Sequence, residues 1–123
     1  NAYLPHRYIP NCVVYPGTHD NDTTIGWWEK ASDHERQFVA KYWGYAAPGD
    51  IKEINWLFIS AALFSVADLA VLPLQDVLGL DNRARMNDPS INAGNWRWRY
   101  TDSKLLTQEI SDRLKQFVEL YSR

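Results

Sequence analysis

The chain has 123 residues, a formal charge of -2, and is 46% hydrophobic and 14% aromatic. That size fits one domain or a piece of one, and the apolar content excludes global disorder. The slightly acidic balance and the absence of any basic run argue against nucleic acid. One cysteine, Cys12, excludes an internal disulfide and a multi-cysteine zinc site. It fits a reducing compartment.

Residues 1–11 carry Pro5 and Pro10 and read as irregular chain. "CVVY" is a short apolar run between Pro10 and Pro16, which predicts a buried strand needing no alternation. A polar knot, Thr18-His19-Asp20-Asn21-Asp22-Thr23-Thr24, then forms the loop at that strand's C-terminal end. Trp28 to Tyr45 is predicted as one helix, broken at Ala47-Pro48-Gly49. Asp50 makes an N-cap with Glu53 as its capping-box partner, opening a helix from Ile51 to about Asp68 that is apolar on most sides. That stretch is too short and too polar to span a bilayer, and no signal peptide is visible.

"LAVLP", Leu69 to Pro73, is a second buried-strand candidate. Gln75 to Leu80 predicts a short helical turn stopped by Gly79. A long loop from Asp81 to Tyr100 follows, and Asp102 or Ser103 caps a last helix from Lys104 to Tyr121. Its apolar stripe is Leu105, Leu106, Ile110, Leu114, Phe117, Val118 and Tyr121. Two strands joined through helices predict parallel βα units in a helix-rich α/β chain. Folds of this kind place their sites at the C-terminal ends of strands.

Two stretches draw attention for function. A loop of Asp, Asn and Thr is often only a hydrogen-bonded turn or helix cap. A carboxylate fixed at the end of a buried strand is also what electrostatic preorganisation requires. Asp-x-Asp with one histidine lacks a complete metal-ligand spacing, so no metal is assigned. The long loop "RARMNDPSINAGNWRWRY" offers either aromatics tucked into the core or a binding surface. Its Asn and Arg side chains suit sugar hydroxyls, and a Trp face suits a sugar ring. Residues 96–99 also alternate as a β-like segment would. Trp27, Trp28, Trp43 and Trp56 read as core packing. Cys12 sits in an apolar run that disfavours a thiolate, and there is no G-x-S-x-G nucleophile motif.

Three stretches, "VVYPGTHDNDTT", "PLQDVLGL" and "ARMNDPSINAGNWRWR", resemble the C-terminal part of the 4-alpha-glucanotransferases. These are the amylomaltases, or disproportionating enzymes, of glycoside hydrolase family seventy-seven. Pro16, where other members have Thr, looks most like the cyanobacterial and plastid branch. The resemblance covers nearly the whole chain and implies the last two βα units of a (β/α)8 barrel, with "CVVY" as its seventh strand. Such a barrel needs about 250 residues, so residues 1–123 are expected to be a single segment of a larger catalytic barrel, incomplete by itself.

The implied activity is transfer of α-1,4-glucan chains between maltodextrins, with retention through a covalent glucosyl-enzyme intermediate and no cofactor. By similarity Asp20 is the transition-state-stabilising carboxylate, His19 binds sugar at the cleavage subsite, and Asn87 lines the glucan groove after the eighth strand. The family's nucleophile Asp and acid/base Glu map to no residue here, so the chain alone is expected to be inactive. Its expected partners are α-1,4-glucans, the remainder of the barrel and other copies of itself, with neither nucleic acid nor membrane. The expected location is the cytoplasm or, for a plastid relative, the stroma. A non-catalytic carbohydrate-binding segment and a related α-glucan hydrolase are the alternatives.

Overall fold

Proline cannot donate to a β-ladder, so Pro10 and Pro16 leave little room for a strand between them. The computed structural model, which describes residues 2–123, accordingly has a strand of two residues, β1 (Val13–Val14). It pairs in parallel with β2 (Leu69–Ala70), Val13 opposite Leu69 and Val14 opposite Ala70. Pairing extends slightly further through Asp68 N to Pro10 O and Val71 N to Val14 O. The helices between the strands make the crossover a parallel pair needs.

The expectation of fully buried strands is corrected. Side chains alternate across a sheet, and only one face is covered. Val14, with Cys12, Ala70 and Leu72, packs against Ala62 and Ala67. On the opposite face Val13, Tyr15, Leu69 and Val71 are each 47–54% exposed. Four large apolar side chains side by side make a surface that ordinary monomers avoid.

The single helix predicted from Trp28 to Tyr45 is two, α1 (Thr24–Lys30) and α2 (Asp33–Tyr42). Ser32 restarts the chain through a capping box: its hydroxyl accepts from Glu35 N, and the Glu35 carboxylate accepts from Ser32 N at 2.8 Å. Thr23 caps α1, accepting from Gly26 N at 3.0 Å.

Asp50 caps a short 3-10 turn, Pro48–Asp50, with its carboxylate on Ala47 N. The long helix, α3 (Ile54–Phe64), therefore begins later than predicted, and Glu53 binds Arg113 instead of completing a box. It also ends earlier than Asp68. Ser65 Oγ donates to Ala62 O at 2.8 Å, and the Arg123 guanidinium donates to the carbonyls of Leu63, Ser65 and Ala67. An arginine satisfying the last carbonyls is a recognised C-terminal cap. Seven of the eleven residues of α3 are buried, as a helix apolar on most sides requires.

A short helix, α4 (Leu74–Val77), follows β2, and Gly79 at φ 66° ends it as expected. The last helix, α5 (Gln108–Leu120), is capped by Thr107, while Asp102 caps a separate 3-10 turn, Ser103–Leu105. Ile110, Leu114, Phe117 and Tyr121 pack on Trp56, Ile59, Leu63 and Val77, whereas Leu105, Leu106 and Val118 remain exposed. Trp56 is buried; Trp27, Trp28 and Trp43 are half-buried around Val39, Ala40, Ile51 and Ile54. Among the described residues no helix is long and apolar enough to cross a membrane.

The bare strand face leads to a prediction. The 123-residue chain expressed alone is expected to self-associate, because the face at Val13, Tyr15, Leu69 and Val71 and the strand edges stay uncovered. Light scattering checks this: oligomers or aggregates are expected, and a compact monomer with cooperative unfolding would contradict it.

Candidate functional site at the C-terminal ends of the strands

The loop after β1 is folded by its own polar residues. Thr18 donates to Asn21 Oδ1 from both N and Oγ1, at 2.8 and 2.9 Å, and Asn21 N donates to Thr18 O. His19 and Asp20 project from the tip of this turn. Asp22 faces the helix instead: Oδ1 accepts from Thr23 N and Oδ2 pairs with Lys30 at 2.7 Å. A Cβ on Gly26 would lie 2.4 Å from Asp22 Oδ1, so glycine is what lets the carboxylate pack there. Beyond the loop, Thr24 N donates to the buried Asp76 carboxylate at 2.7 Å.

The long loop after α4 folds back on this tip. Asn87 N donates to His19 O at 3.0 Å, and Asn87 Nδ2 donates to Asp20 Oδ1 at 2.6 Å. His19 Nε2 lies 3.2 Å from the same Asp20 oxygen. The structure thus brings together all three residues named from the sequence. Asp20 Oδ1 is held on two sides, while Oδ2 accepts no hydrogen bond among the described residues. The Asp20 side chain is 49% exposed, so the open oxygen is reachable.

The long loop is ordered from within. Asp88 Oδ1 accepts from Ser90 N and Oγ, and Asn95 bridges Asp88 N and O. The Ser90 bonds hold the Asp88 carboxyl below its usual range. Residues 96–99 are not a strand. Trp96 adopts φ 62°, unusual for a large side chain, and its N donates to Met86 O. Its half-exposed indole lies 5.1 Å from the His19 ring. A recess of about 350 Å³ opens beside the His19 ring, lined by Tyr15, Thr18, His19, Gln75, Met86 and Trp96 among others, with Asp20 and Asn87 outside its lining.

Two residues that organise the site were not singled out from the sequence. Arg85 Nη2 donates to Asp20 O at 2.7 Å. Nothing local signals a bond across 65 positions. Asp76 was more legible, as an acid just beyond an apolar strand. Burial pushes its pKa up, against the lowering effect of its bonds to Thr24. Among the described residues no group of three or more His, Cys, Asp or Glu is placed to hold a metal ion.

Asp76 gives a second prediction. Its folded pKa lies above its unfolded value, so stability falls as pH rises through the interval between them, and the full cost of the buried charge remains above it. Asn retains an oxygen for Thr24 N without the charge. Asp76→Asn is therefore expected to gain stability relative to wild type at pH 7 and to lose that advantage in acid. Unfolding midpoints of the complete protein across pH test this; a destabilisation that is constant with pH would contradict it.

Fold and geometry together define a helix-rich α/β protein whose polar site opens at the C-terminal ends of parallel strands. The family model for 4-alpha-glucanotransferase matches residues 1–106, and the chain belongs to that family. The chain is similar to the chloroplastic/amyloplastic 4-alpha-glucanotransferase of Oryza sativa subsp. japonica, with 47% identity over 126 residues, covering 100% of this chain and 20% of the relative. Identity to the 4-alpha-glucanotransferase of Synechocystis is 46%, covering 100% of this chain and 24% of that protein. The Thermus thermophilus enzyme of that name is 44% identical, again over 100% of this chain and 25% of its own length. Among solved structures, the amylomaltase from Streptococcus agalactiae in complex with acarbose superposes with a TM-score of 0.87 at 28% identity. That match covers 98% of this chain and 23% of the amylomaltase. The chain thus spans a fifth to a quarter of the length of these relatives.

Proposed function

We propose that the chain is the C-terminal part of the catalytic (β/α)8 barrel of a 4-alpha-glucanotransferase, which transfers α-1,4-glucan segments between maltodextrins with retention of configuration. In this reading the bare face at Val13, Tyr15, Leu69 and Val71 points into the barrel, and the missing strands cover it. Asp20 is the transition-state stabiliser, and His19 and Asn87 bind the sugar beside it. The observation that carries the reading is the pinning of Asp20 Oδ1 by Asn87 and His19 with Oδ2 left open.

The chemistry follows from charge. Glycosidic cleavage passes through an oxocarbenium-like state, with positive charge growing on the ring carbon and oxygen. A carboxylate already fixed in place stabilises that charge without reorganising. The Trp96 indole, beside His19, offers an apolar face to a sugar ring. The nucleophile and the acid/base, a pair about 5 to 5.5 Å apart in retaining enzymes, come from the rest of the barrel. That the relative from Streptococcus agalactiae was solved with acarbose supports a glucan-like ligand for this site.

Incubation of the complete protein with maltotriose tests the proposal. Glucose together with maltodextrins longer than the substrate is the expected outcome. Shorter products alone would assign a hydrolase, and binding without products would assign a carbohydrate-binding role.

A further inference from the structure

The Arg85 guanidinium joins the two loops that carry the site. Nη2 donates to Asp20 O at 2.7 Å, Nε donates to Asn87 O at 2.9 Å, and Nη1 pairs with Asp88 Oδ2 at 3.2 Å. Its side chain is only 24% exposed. Asp88 is itself fixed by Ser90 and Asn95, so the guanidinium is braced against an ordered loop. Arg85 touches the backbone of the two residues that form the Asp20–Asn87 hydrogen bond and neither of their side chains. A planar fork with five donors spans two carbonyls and a carboxylate at once; a lysine ammonium is a compact point charge that does not match this geometry.

We infer that Arg85 is a positioning residue for the transfer reaction, one that sets the distance and angle between Asp20 and Asn87 by clamping their backbones. The inference rests on the glucanotransferase reading of the site. Without the clamp the two loops still meet through Asn87 N on His19 O and through the side-chain bond itself. The carboxylate then gains freedom to shift, and a misplacement of about 1 Å commonly costs about 10²-fold in rate.

The test is steady-state disproportionation of maltotriose by the complete protein carrying Arg85→Met or Arg85→Lys. Both variants are expected to lower kcat by roughly 10- to 100-fold with KM within about threefold of wild type, since the loss falls on the transition state. Where Arg85→Met does not fold, Arg85→Lys, which keeps the charge and the long stem, carries the test. The double variant Asp20→Asn/Arg85→Lys is expected to lose less than the product of the two single losses, because the charge that Arg85 positions is already gone. Wild-type kcat in folded Arg85→Lys, or full additivity in the double variant, would overturn the inference. An inactive wild type sinks the glucanotransferase reading instead, and crystal structures of the variants then decide: Asp20 and Asn87 parted supports the clamp, and the pair unmoved overturns it.

Discussion

Asp20→Asn in the complete protein is expected to lower kcat for maltotriose disproportionation by about 10²- to 10³-fold, the usual cost of losing one preorganised transition-state group. The substitution is a clean one at this position. Asn retains an oxygen that accepts from Asn87 Nδ2, so the link between the loops survives and only the charge is lost. KM should change far less, because the ground-state sugar carries no charge for Asp20 to balance. The unfolding midpoint should also stay close to wild type, since the side chain is half exposed. If Asp20 served only to fold its turn, the outcome would invert: the midpoint would fall, and the folded fraction would keep its turnover.

The second large effect is a complete loss. The 123-residue chain alone is expected to produce neither glucose nor longer maltodextrins from maltotriose. Retention needs a nucleophile and an acid/base facing one bond from two sides, and the other acids around Asp20 are committed elsewhere. Asp22 is paired with Lys30, Asp76 is buried on Thr24 N, and Asp88 is bound by Ser90 and Arg85. Glucose with longer products from a preparation free of host enzyme would contradict this.

Much of the organisation is legible in the residues. Short apolar runs mark both strands, the first between Pro10 and Pro16 and the second ended by Pro73, and the helices between them make the pairing parallel. What escapes is of two kinds. Local chemistry overrode periodicity at Ser32, where a capping box divides one amphipathic stretch into two helices, and at Asp50, whose carboxylate closes the nearer turn instead of opening α3. Both signals stand in the sequence, but a side-chain cap has several backbone N–H groups within reach, and only the folded chain selects one. The strands were expected to be buried on both faces because their composition is that of strands with two covered faces; here one face lacks its cover.

The site divides in the same way. The polar knot from Thr18 to Thr24 is legible because a strand ends beside it, and family resemblance is what selects His19 and Asp20 within it and adds Asn87. The bond from Asn87 to Asp20 spans 67 positions and the bond from Arg85 to Asp20 O spans 65, distances over which no local pattern acts. Only the folding back of the long loop after α4 makes them neighbours.

Asp22 shares the turn with Asp20, yet its carboxylate is held by Lys30 and Thr23 N, away from the tip. The two positions therefore separate catalysis from loop structure, and the kcat of Asp20→Asn measured beside that of Asp22→Asn, in one maltotriose assay of the complete protein, reads the difference. The expected result is a loss of at least about 10²-fold for Asp20→Asn, with Asp22→Asn affected much less in turnover and more in unfolding midpoint. Near-normal turnover in Asp20→Asn, with the loss falling on Asp22→Asn, would contradict the assignment of Asp20 as the group that stabilises the transition state.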